Sequence, residues 1–225
     1  MSPIGWREFE SATQASVATL EALRQLAVAL LSDNMARFSG IVGLHPYHHQ
    51  PGMMAGTAVT VRTRAGDNLA IHRALDDFCR PGDVLVIDGG GDITQALMGD
   101  VMSSYAASLG VQGLVIDGAI RDVGEIRERD FPVFARGVTH RGPYKNGPGE
   151  INVPVTVGGA VVHPGDIVVG DADGVLTISP QDVEAVIEGA RIQAAREAAS
   201  LRTLAEGGRL DRAWVRQQFE RALKG

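Results

Sequence analysis

The sequence contains a single cysteine, Cys79, among its 225 residues. One cysteine cannot form an internal disulfide, and it excludes a metal site built on paired cysteines. Cys79 ends the helix-like stretch LAIHRALDDFC, where we expect a half-buried and unreactive thiol. It is therefore not a candidate nucleophile.

Long apolar runs and basic runs are also lacking. The longest apolar window, LAVALL at 26–31, is far shorter than the roughly 20 residues that a membrane span needs. The N-terminus, MSPIGWREFE, carries acidic residues and no apolar core, so it is not typical of a signal peptide. The formal net charge is −6, without a lysine and arginine cluster that would attract nucleic acid or an anionic membrane. We predict a soluble, cytoplasmic protein with no nucleic-acid or membrane partner.

Glycine, by contrast, is abundant, with 28 residues that fall mainly at the ends of apolar runs, where tight turns belong. Hydrophobic residues make up 44% of the chain, enough to bury a core. We predict an N-terminal helical segment (1–35), a catalytic core (36–180) and a C-terminal helical extension (181–225). The extension is polar enough to lie on a surface, and we expect it to pack on a neighbouring subunit.

Within the predicted core, apolar strands alternate with helical stretches. This alternation predicts α/β units with parallel strands. The later segment 153–179 has short β runs joined by glycine, proline and aspartate, which predicts an antiparallel sheet closing over the α/β part. The predicted strands are 57–64, 84–88, 113–117 and 131–138, and the predicted helices are 16–31, 68–79, 93–110 with a break at Gly99, 123–130, 181–206 and 210–223.

A first candidate site is the segment Asp117-Gly118-Ala119-Ile120-Arg121-Asp122, which follows a predicted buried strand. We expect the strand to end at Asp117 and Gly118 to make a sharp turn, which brings Arg121 and Asp122 to the mouth of the next helix. Ligands of open α/β folds bind outside the carboxyl ends of such strands. Local sequence leaves a plainer interpretation open, because Asp122 with Glu125 three residues later resembles a capping box.

A second candidate site is Gly99-Asp100-Val101-Met102. Gly99 would break the preceding helix and Asp100 would cap a new one, whose first amides could bind a carboxylate or phosphate. A capped helix kink without function is the alternative. If neighbouring parallel strands bring both segments to one rim, a carboxylate, an arginine and a helix N-terminus meet, as a metal-chelating 2-oxo acid requires.

The segment GDVMSSYAASLGVQGLVIDGAIRDVGEIRERDFPVFARG resembles the family that unites class II 4-hydroxy-4-methyl-2-oxoglutarate aldolases with the regulator of ribonuclease activity A. The shared pattern is Gly-Asp or Gly-Glu, an interval of twenty residues, and then Arg-Asp. Asp100, Arg121 and Asp122 match this pattern. The resemblance extends over roughly residues 30–200 and implies a compact β/β/α sandwich, assembled as a homotrimer or a dimer of trimers.

The resemblance also implies a role for each matching residue. Asp122 would bind a divalent metal, Mg or Mn, largely through waters. Arg121 would contact the keto oxygen and stabilise the enolate, and Asp100 would orient a metal-bound water. The backbone of Gly99, Asp100, Val101 and Met102 would cradle the substrate carboxylate. The aldolases also use a glutamate from a neighbouring subunit, for which Glu197 is the candidate, although a solvated helical glutamate is the alternative.

Two other motifs are set aside. His45, His48 and His49 fit no standard zinc spacing, so we expect surface or interface histidines, with a substrate-shaping lid as the alternative. The run Gly89-Gly90-Gly91 lacks the remaining spacing of a dinucleotide fingerprint and is not followed by Gly-Lys-Ser/Thr. This sequence therefore does not support a nucleotide-cofactor enzyme such as a methyltransferase.

The predicted function is a lyase. It would cleave a 4-hydroxy-2-oxo acid, such as 4-hydroxy-4-methyl-2-oxoglutarate, to pyruvate and a second carbonyl compound, with oxaloacetate decarboxylation as a side activity. The competing prediction is a non-catalytic binding protein of the ribonuclease-regulator type. Asp122 together with Glu197 favours the enzyme, because a regulator needs neither a metal nor an acid from a neighbouring subunit.

Overall fold

The computed structural model describes residues 3–38, 40–49 and 52–223. The helices in these ranges are α1 (Val17–Leu23), α2 (Val28–Asp33), α3 (Leu69–Asp77), α4 (Asp100–Ser108), α5 (Val123–Arg127), α6 (Val183–Ala205) and α7 (Ala213–Ala222). The strands are β1 (Arg7–Glu8), β2 (His45–Pro46), β3 (Met54–Thr63), β4 (Asp83–Asp88), β5 (Ala96–Met98), β6 (Gly113–Ile120), β7 (Val133–Val138), β8 (Gly149–Ile151), β9 (Val155–Val157), β10 (Ala160–Val162), β11 (Ile167–Asp171) and β12 (Gly174–Ile178). No helix of the described ranges is both long and apolar enough to cross a membrane.

One twisted sheet organises the molecule, with strand order β1-β8-β3-β4-β6-β7-β2. Its centre is parallel, because β3, β4, β6 and β7 pair side by side in the same direction. β5 adds to the end of β6, and β11 joins β3 and β12 in antiparallel pairs. β9 and β10 form a separate hairpin.

Both faces of the parallel centre are buried, as expected for a sheet covered on two sides. In β4, Leu85 and Ile87 join the apolar cluster beneath α3 and α4, whereas Val84 and Val86 join the cluster beneath the β9–β10 hairpin. This alternation follows the period of two along a strand. The result is the predicted β/β/α sandwich. A third apolar cluster joins α1, α2 and α6 to the β11–β12 pair.

Three predicted elements differ from the structure. The single helix predicted at 16–31 is two helices, because the chain turns after Leu23 and Asp171 accepts a hydrogen bond from the Val28 amide at 2.9 Å, beginning α2 anew. Residues 96–98 are a buried strand rather than helix, since they pair with β6. The strand predicted to end at Asp117 continues to Ile120. The sharp turn predicted at Gly118 is therefore wrong.

The predicted antiparallel character of 153–179 is confirmed, although the two hairpins of this segment differ in position. β9–β10 forms the covering layer, whereas β11 hydrogen-bonds to β3 and so extends the main sheet. The C-terminal helices are also confirmed as α6 and α7, with slightly shorter bounds than predicted.

Candidate active site

The pairing of β5 with β6 brings the two candidate segments together. Met98, at the end of β5, lies opposite Ile120, at the end of β6, and the Arg121 amide donates to the Met98 carbonyl at 3.0 Å. Gly99 and Asp122, which follow these strands, are therefore neighbours at the carboxyl edge of the sheet. The predicted meeting of both motifs at one rim is confirmed.

Asp122 adopts an unusual backbone conformation at this rim. Its φ of 57° and ψ of 38° lie in the left-handed region, which is uncommon for residues with a side chain. Its carboxylate turns back toward α4, where Oδ2 accepts a hydrogen bond from the Asp100 amide at 3.2 Å and lies 3.5 Å from Arg121 Nε. A Cβ at Gly99 would overlap this carboxylate, so the close approach requires glycine.

The capping geometry expected at each motif is not formed. Asp122 stands at the N-cap position of α5, but its side chain makes no capping hydrogen bond there. Gly99, rather than Asp100, is the N-cap residue of α4. Asp122 is instead positioned so that its charge faces the N-terminus of α4, an arrangement that the helix dipole favours.

Asp117, at the beginning of the first motif, makes contacts that hold neighbouring strands together. It is buried, it pairs with Arg136, and its Oδ2 accepts a hydrogen bond from the Gly158 amide at 2.8 Å. These contacts tie β6 to β7 and to the β9–β10 hairpin, and they leave Asp117 outside the pocket lining.

A pocket of about 290 Å³ opens at the meeting point of the two motifs. Most of the substrate-binding residues predicted from sequence line it, together with side chains that the sequence did not single out. Its walls are formed by Asn68, His72, Leu97, Met98, Gly99, Val101, Met102, Arg121, Asp122, Pro143 and Lys145. The amides of Val101 and Met102 belong to the first turn of α4, whose N–H groups have no acceptor within the helix. The pocket therefore combines an arginine, a carboxylate and free amide donors.

Three polar lining residues, Asn68, His72 and Lys145, were not predicted from the sequence. Asn68 is buried, and its Oδ1 has no hydrogen-bond partner in the described structure. The same holds for Nε2 of His72, one helical turn later on α3. Burial lowers the pKa of His72, and the nearby charge of Lys145 lowers it further. Nothing in the local sequence marks Asn68 or His72, because α3 reaches the pocket through its packing on β3 and β8. Lys145 is brought there by the pairing of Tyr144 with Asp67.

Asp100 points away from the pocket. Its Oδ1 forms an ion pair with Arg129 at 2.9 Å, and Asp100 is absent from the pocket lining. Its backbone amide binds Asp122, so Asp100 contributes to the site in this structure through the main chain.

Glu197 lies on the exposed second half of α6. Its Oε1 accepts a hydrogen bond from Gln193 Nε2 at 2.9 Å, and it does not line the pocket of its own chain. Any part that Glu197 plays in catalysis would have to come from a neighbouring subunit.

The donor set limits which metal the site can hold. In residues 3–38, 40–49 and 52–223 there is no group of three or more histidine, cysteine, aspartate or glutamate side chains that could hold an ion. A zinc site with three or four protein ligands is therefore not built here. Asp122, with a side chain 41% exposed in the pocket, fits Mg²⁺, which is commonly held by one or two carboxylates with waters and substrate oxygens completing its shell.

The histidine loop lies apart from the pocket. His45 and His49 are exposed, as predicted, but His48 is buried beside Phe134 and accepts a hydrogen bond from the Val133 amide at 3.3 Å. The surface or interface interpretation is therefore wrong for His48. None of the three lines the pocket, so the lid interpretation gains no support.

Comparison with known proteins identifies the family to which the fold belongs. Residues 28–177 match the RraA-like family model, described as Aldolase/RraA. This range includes Asp100, Arg121 and Asp122 and ends before Glu197. The chain is 36% identical over 207 residues to the Halalkalibacterium halodurans protein named "Putative 4-hydroxy-4-methyl-2-oxoglutarate aldolase", covering 92% of this chain and 98% of that protein.

Two solved structures of similar fold bear RraA names. The RNA-processing inhibitor RraA from Thermus thermophilis is 31% identical with a TM-score of 0.62, and the match covers 68% of this chain and 92% of that one. Streptomyces coelicolor RraAS2, described as an unusual member of the RNase ES inhibitor RraA protein family, is 25% identical with a TM-score of 0.75, covering 84% and 98%.

Proposed function

Because the chain belongs to the RraA-like family of aldolases and RraA proteins, we propose that it is a class II lyase that depends on a divalent metal. Its substrate would be a 4-hydroxy-2-oxo acid, such as 4-hydroxy-4-methyl-2-oxoglutarate, and its products pyruvate and a second carbonyl compound. Oxaloacetate decarboxylation would be a side activity. The observation that carries the proposal is the convergence of Arg121 and Asp122 on the N-terminus of α4 in one pocket.

Different pocket residues would bind different groups of the substrate. The substrate carboxylate would accept hydrogen bonds from the amides of Val101 and Met102, at the positive end of α4. The guanidinium of Arg121 would donate to the 2-keto oxygen, where negative charge develops as the bond breaks. Lys145 and Arg121 together make the pocket favourable for an acid with more than one carboxylate.

The bond cleaved is C3–C4. The C4 hydroxyl loses its proton and becomes a carbonyl, the C3–C4 electron pair moves into the pyruvate enolate, and a proton added at C3 completes pyruvate. Asp100 and the partner subunit's Glu197 would orient the water that takes and returns this proton. For this role, Asp100 would have to exchange its ion pair with Arg129 for that water.

Asp122 would hold the metal, with waters and the substrate completing its shell. When bound, the metal would act as a Lewis acid toward the keto oxygen and carboxylate of the substrate. Arg121 Nε lies 3.5 Å from the Asp122 carboxylate, so the guanidinium and a metal held by Asp122 could both act on the keto oxygen of the substrate.

The test is pyruvate release from a panel of 4-hydroxy-2-oxo acids and oxaloacetate, measured by coupling to lactate dehydrogenase. We expect activity with Mg or Mn, loss of activity after EDTA treatment, and recovery when the metal is returned. Full activity in excess EDTA would contradict the class II mechanism. No pyruvate from any substrate, with metal present, would favour the competing function below.

The competing function is a binding protein, and the similarity to the Thermus RNA-processing inhibitor favours it. That structure matches only 68% of this chain, whereas the relative named as an aldolase matches 92%. A binder of this kind has no need of the pocket. Substitution of Arg121 or Asp122 would then leave its binding unchanged.

The proposed assembly is a homotrimer or a dimer of trimers in which Glu197 completes a neighbour's site. Mixing Glu197→Ala with Asp122→Ala subunits in equal amounts should restore some activity, because each mixed trimer then has one site, and the whole mixture about a quarter of its sites, with both Asp122 and Glu197 intact. Each variant alone should be poor. No recovery in trimers verified by mass would show that Glu197 does not act across the interface.

A further inference from the structure

Two turns of the same geometry lead into strands of the main sheet. Pro81-Gly82-Asp83 precedes the body of β4, and Pro164-Gly165-Asp166 precedes β11. The two glycines have similar positive φ angles, 94° and 88°. In each turn, Oδ2 of the aspartate accepts a hydrogen bond at 2.8 Å from the backbone amide three residues earlier. Each turn therefore needs only one carboxylate oxygen of its aspartate.

The two aspartates differ in what their second oxygen contacts. Oδ1 of Asp83 accepts a hydrogen bond from Gln14 Nε2 at 2.8 Å, so the protein itself satisfies it. Oδ1 of Asp166 accepts no hydrogen bond from any residue in the ranges 3–38, 40–49 and 52–223. Asp166 is nevertheless only 9% exposed. A carboxylate that is buried without a full set of partners costs free energy, which a bound cation would offset.

The electrostatic state of Asp166 agrees with this geometry. Burial raises the pKa of its carboxyl, because the charged form loses solvation. The hydrogen bond from the His163 amide and the charge of the His163 side chain lower this pKa, but by less than burial raises it. No lysine or arginine of the described residues forms an ion pair with Asp166, in contrast to the buried Asp83, which Arg80 approaches at 3.5 Å.

Asp166 lines a groove at the beginning of α6, which we name the α6 groove. Its volume is about 650 Å³, within the range of sites that hold small organic molecules. The groove shares no residue with the proposed catalytic pocket. It is lined by residues 12–15, Thr19, 163–167, 179–181, Val183 and Glu184.

The lining of the α6 groove favours an organic cation over a metal ion. Ala12, Ala15, Ile167 and Val183 supply apolar surface, which a hydrated metal ion would not cover. Among the described residues, no three histidine, cysteine, aspartate or glutamate side chains are grouped so that they could hold a metal. The ligand that fits is therefore a positive group attached to an apolar body.

The single free oxygen of Asp166 also selects the kind of positive group. A guanidinium presents a planar fork that pairs best with both oxygens of a carboxylate. Oδ2 of Asp166 is already bound to the His163 amide, so this pairing would compete with the turn. An ammonium group is a compact charge with three donors, and one of them suffices for Oδ1.

We propose that the α6 groove binds a small aliphatic primary amine in its protonated form. The ammonium group donates to Oδ1 of Asp166, and the alkyl chain covers Ile167 and Val183. Glu184, exposed at the rim on the first turn of α6, adds a longer-range attraction. The proposal uses no residue of the catalytic pocket, so it stands or fails independently of the lyase function.

Calorimetric titration of the full-length protein with pentylamine tests the proposal. The measurement is made at about pH 7.5, where the amine is protonated, and at a constant magnesium concentration. We expect saturable binding with a dissociation constant on the order of 1 mM or lower, as is reasonable for so small a ligand. Pentanol has the same apolar chain without the charge and should bind at least about 10-fold more weakly. Equal binding of the two compounds, or no saturable binding of pentylamine, would overturn the proposal.

Two isosteric variants separate the contact with Asp166 from general attraction. Asp166→Asn keeps an oxygen for the His163 amide but removes the charge, and it should raise the dissociation constant of pentylamine at least about 10-fold. Glu184→Gln is the matched control, since it removes the same formal charge from the exposed rim, and it should change the constant by less than about 3-fold. Equal losses in both variants would show that the amine responds only to net charge and does not contact Asp166.

Methyl resonances in the unsubstituted protein locate the amine even if Asp166→Asn fails to fold. The methyl signals of Ile167 and Val183 should shift along the same saturation curve as the calorimetric titration. The methyl signal of Met102, which lines the catalytic pocket, should not move. A shift at Met102 with none at Ile167 or Val183 would place the amine in the catalytic pocket and contradict the proposal.

Discussion

Gly99→Ala is the change that most directly tests how the pocket is held together. A Cβ at this position would overlap Oδ2 of Asp122 and would lie 2.9 Å from Cγ and 3.3 Å from Nε of Arg121. The φ of −147° and ψ of −165° suit any residue, so the substitution introduces no backbone strain. To regain van der Waals contact, the Asp122 carboxylate must move by about 1 Å.

The expected consequence is a large loss of activity with a small loss of stability. A displacement of about 1 Å in a positioned catalytic group can reduce the rate about 100-fold. The two side chains are 45% and 41% exposed, so they can rotate outward without opening a cavity. Replacing the glycine N-cap of α4 by alanine should cost no more than about 1 kcal/mol. For a chain of this length, that lowers Tm by about 2 to 4 °C.

Gly124→Ala is the matched control. Gly124 lies in α5, two residues after Asp122, and a Cβ there meets nothing within 4 Å. Alanine should leave activity unchanged and stabilise the helix by about 0.5–1 kcal/mol. Pyruvate release and thermal unfolding would be measured for both variants. Normal kcat in Gly99→Ala, or a Tm loss far above that expected, would refute the placement of Asp122 and Arg121 described here.

Three further predictions concern neighbouring residues. Arg121→Lys keeps the charge but loses the planar fork, so kcat should fall at least about 100-fold, and near-normal kcat would assign Arg121 a structural role. Asp122→Gly removes the carboxylate, so activity should be lost. Because glycine adopts the left-handed conformation of residue 122 without steric cost, Tm should change by no more than a few degrees. A strongly destabilised variant would contradict this interpretation. His72 has a lowered pKa when folded, so the unfolded chain binds more protons and acid costs stability as pH falls below about 6.5. His72→Gln should remove this part of the loss between pH 7 and 5, and identical pH profiles of chemical denaturation would show that His72 does not contribute.

Much of the fold could be predicted because short-range patterns carry it. The apolar runs that became β4, β6 and β7 are long enough to indicate buried strands, and the turns between them are marked by glycine and proline. Where prediction was wrong, a long-range contact decided the outcome. The sequence pattern at 93–98 predicted a helix, but residues 96–98 pair with β6 as a strand. The predicted helix at 16–31 is interrupted where Asp171 accepts a hydrogen bond from the Val28 amide.

The candidate site, like the fold, could be predicted only in part from the sequence. Sequence alone indicated Gly99, Asp100, Arg121 and Asp122, because each follows an apolar run and the two pairs are spaced as in the family. Only the tertiary structure decided what these groups face. The register of β5 against β6 turns the Asp122 carboxylate toward α4, and Arg129 draws the Asp100 carboxylate away from the pocket.

Sequence determined which residues stand at the ends of strands, since that depends on neighbours along the chain and on the period of two within each run. Asn68, His72 and Lys145 could not be assigned in this way. Asn68 and His72 reach the pocket through the packing of α3 on the sheet, and Lys145 reaches it because Tyr144 pairs with Asp67. Such contacts depend on distances in space that no local pattern encodes. The tertiary structure alone decided the composition of the pocket wall.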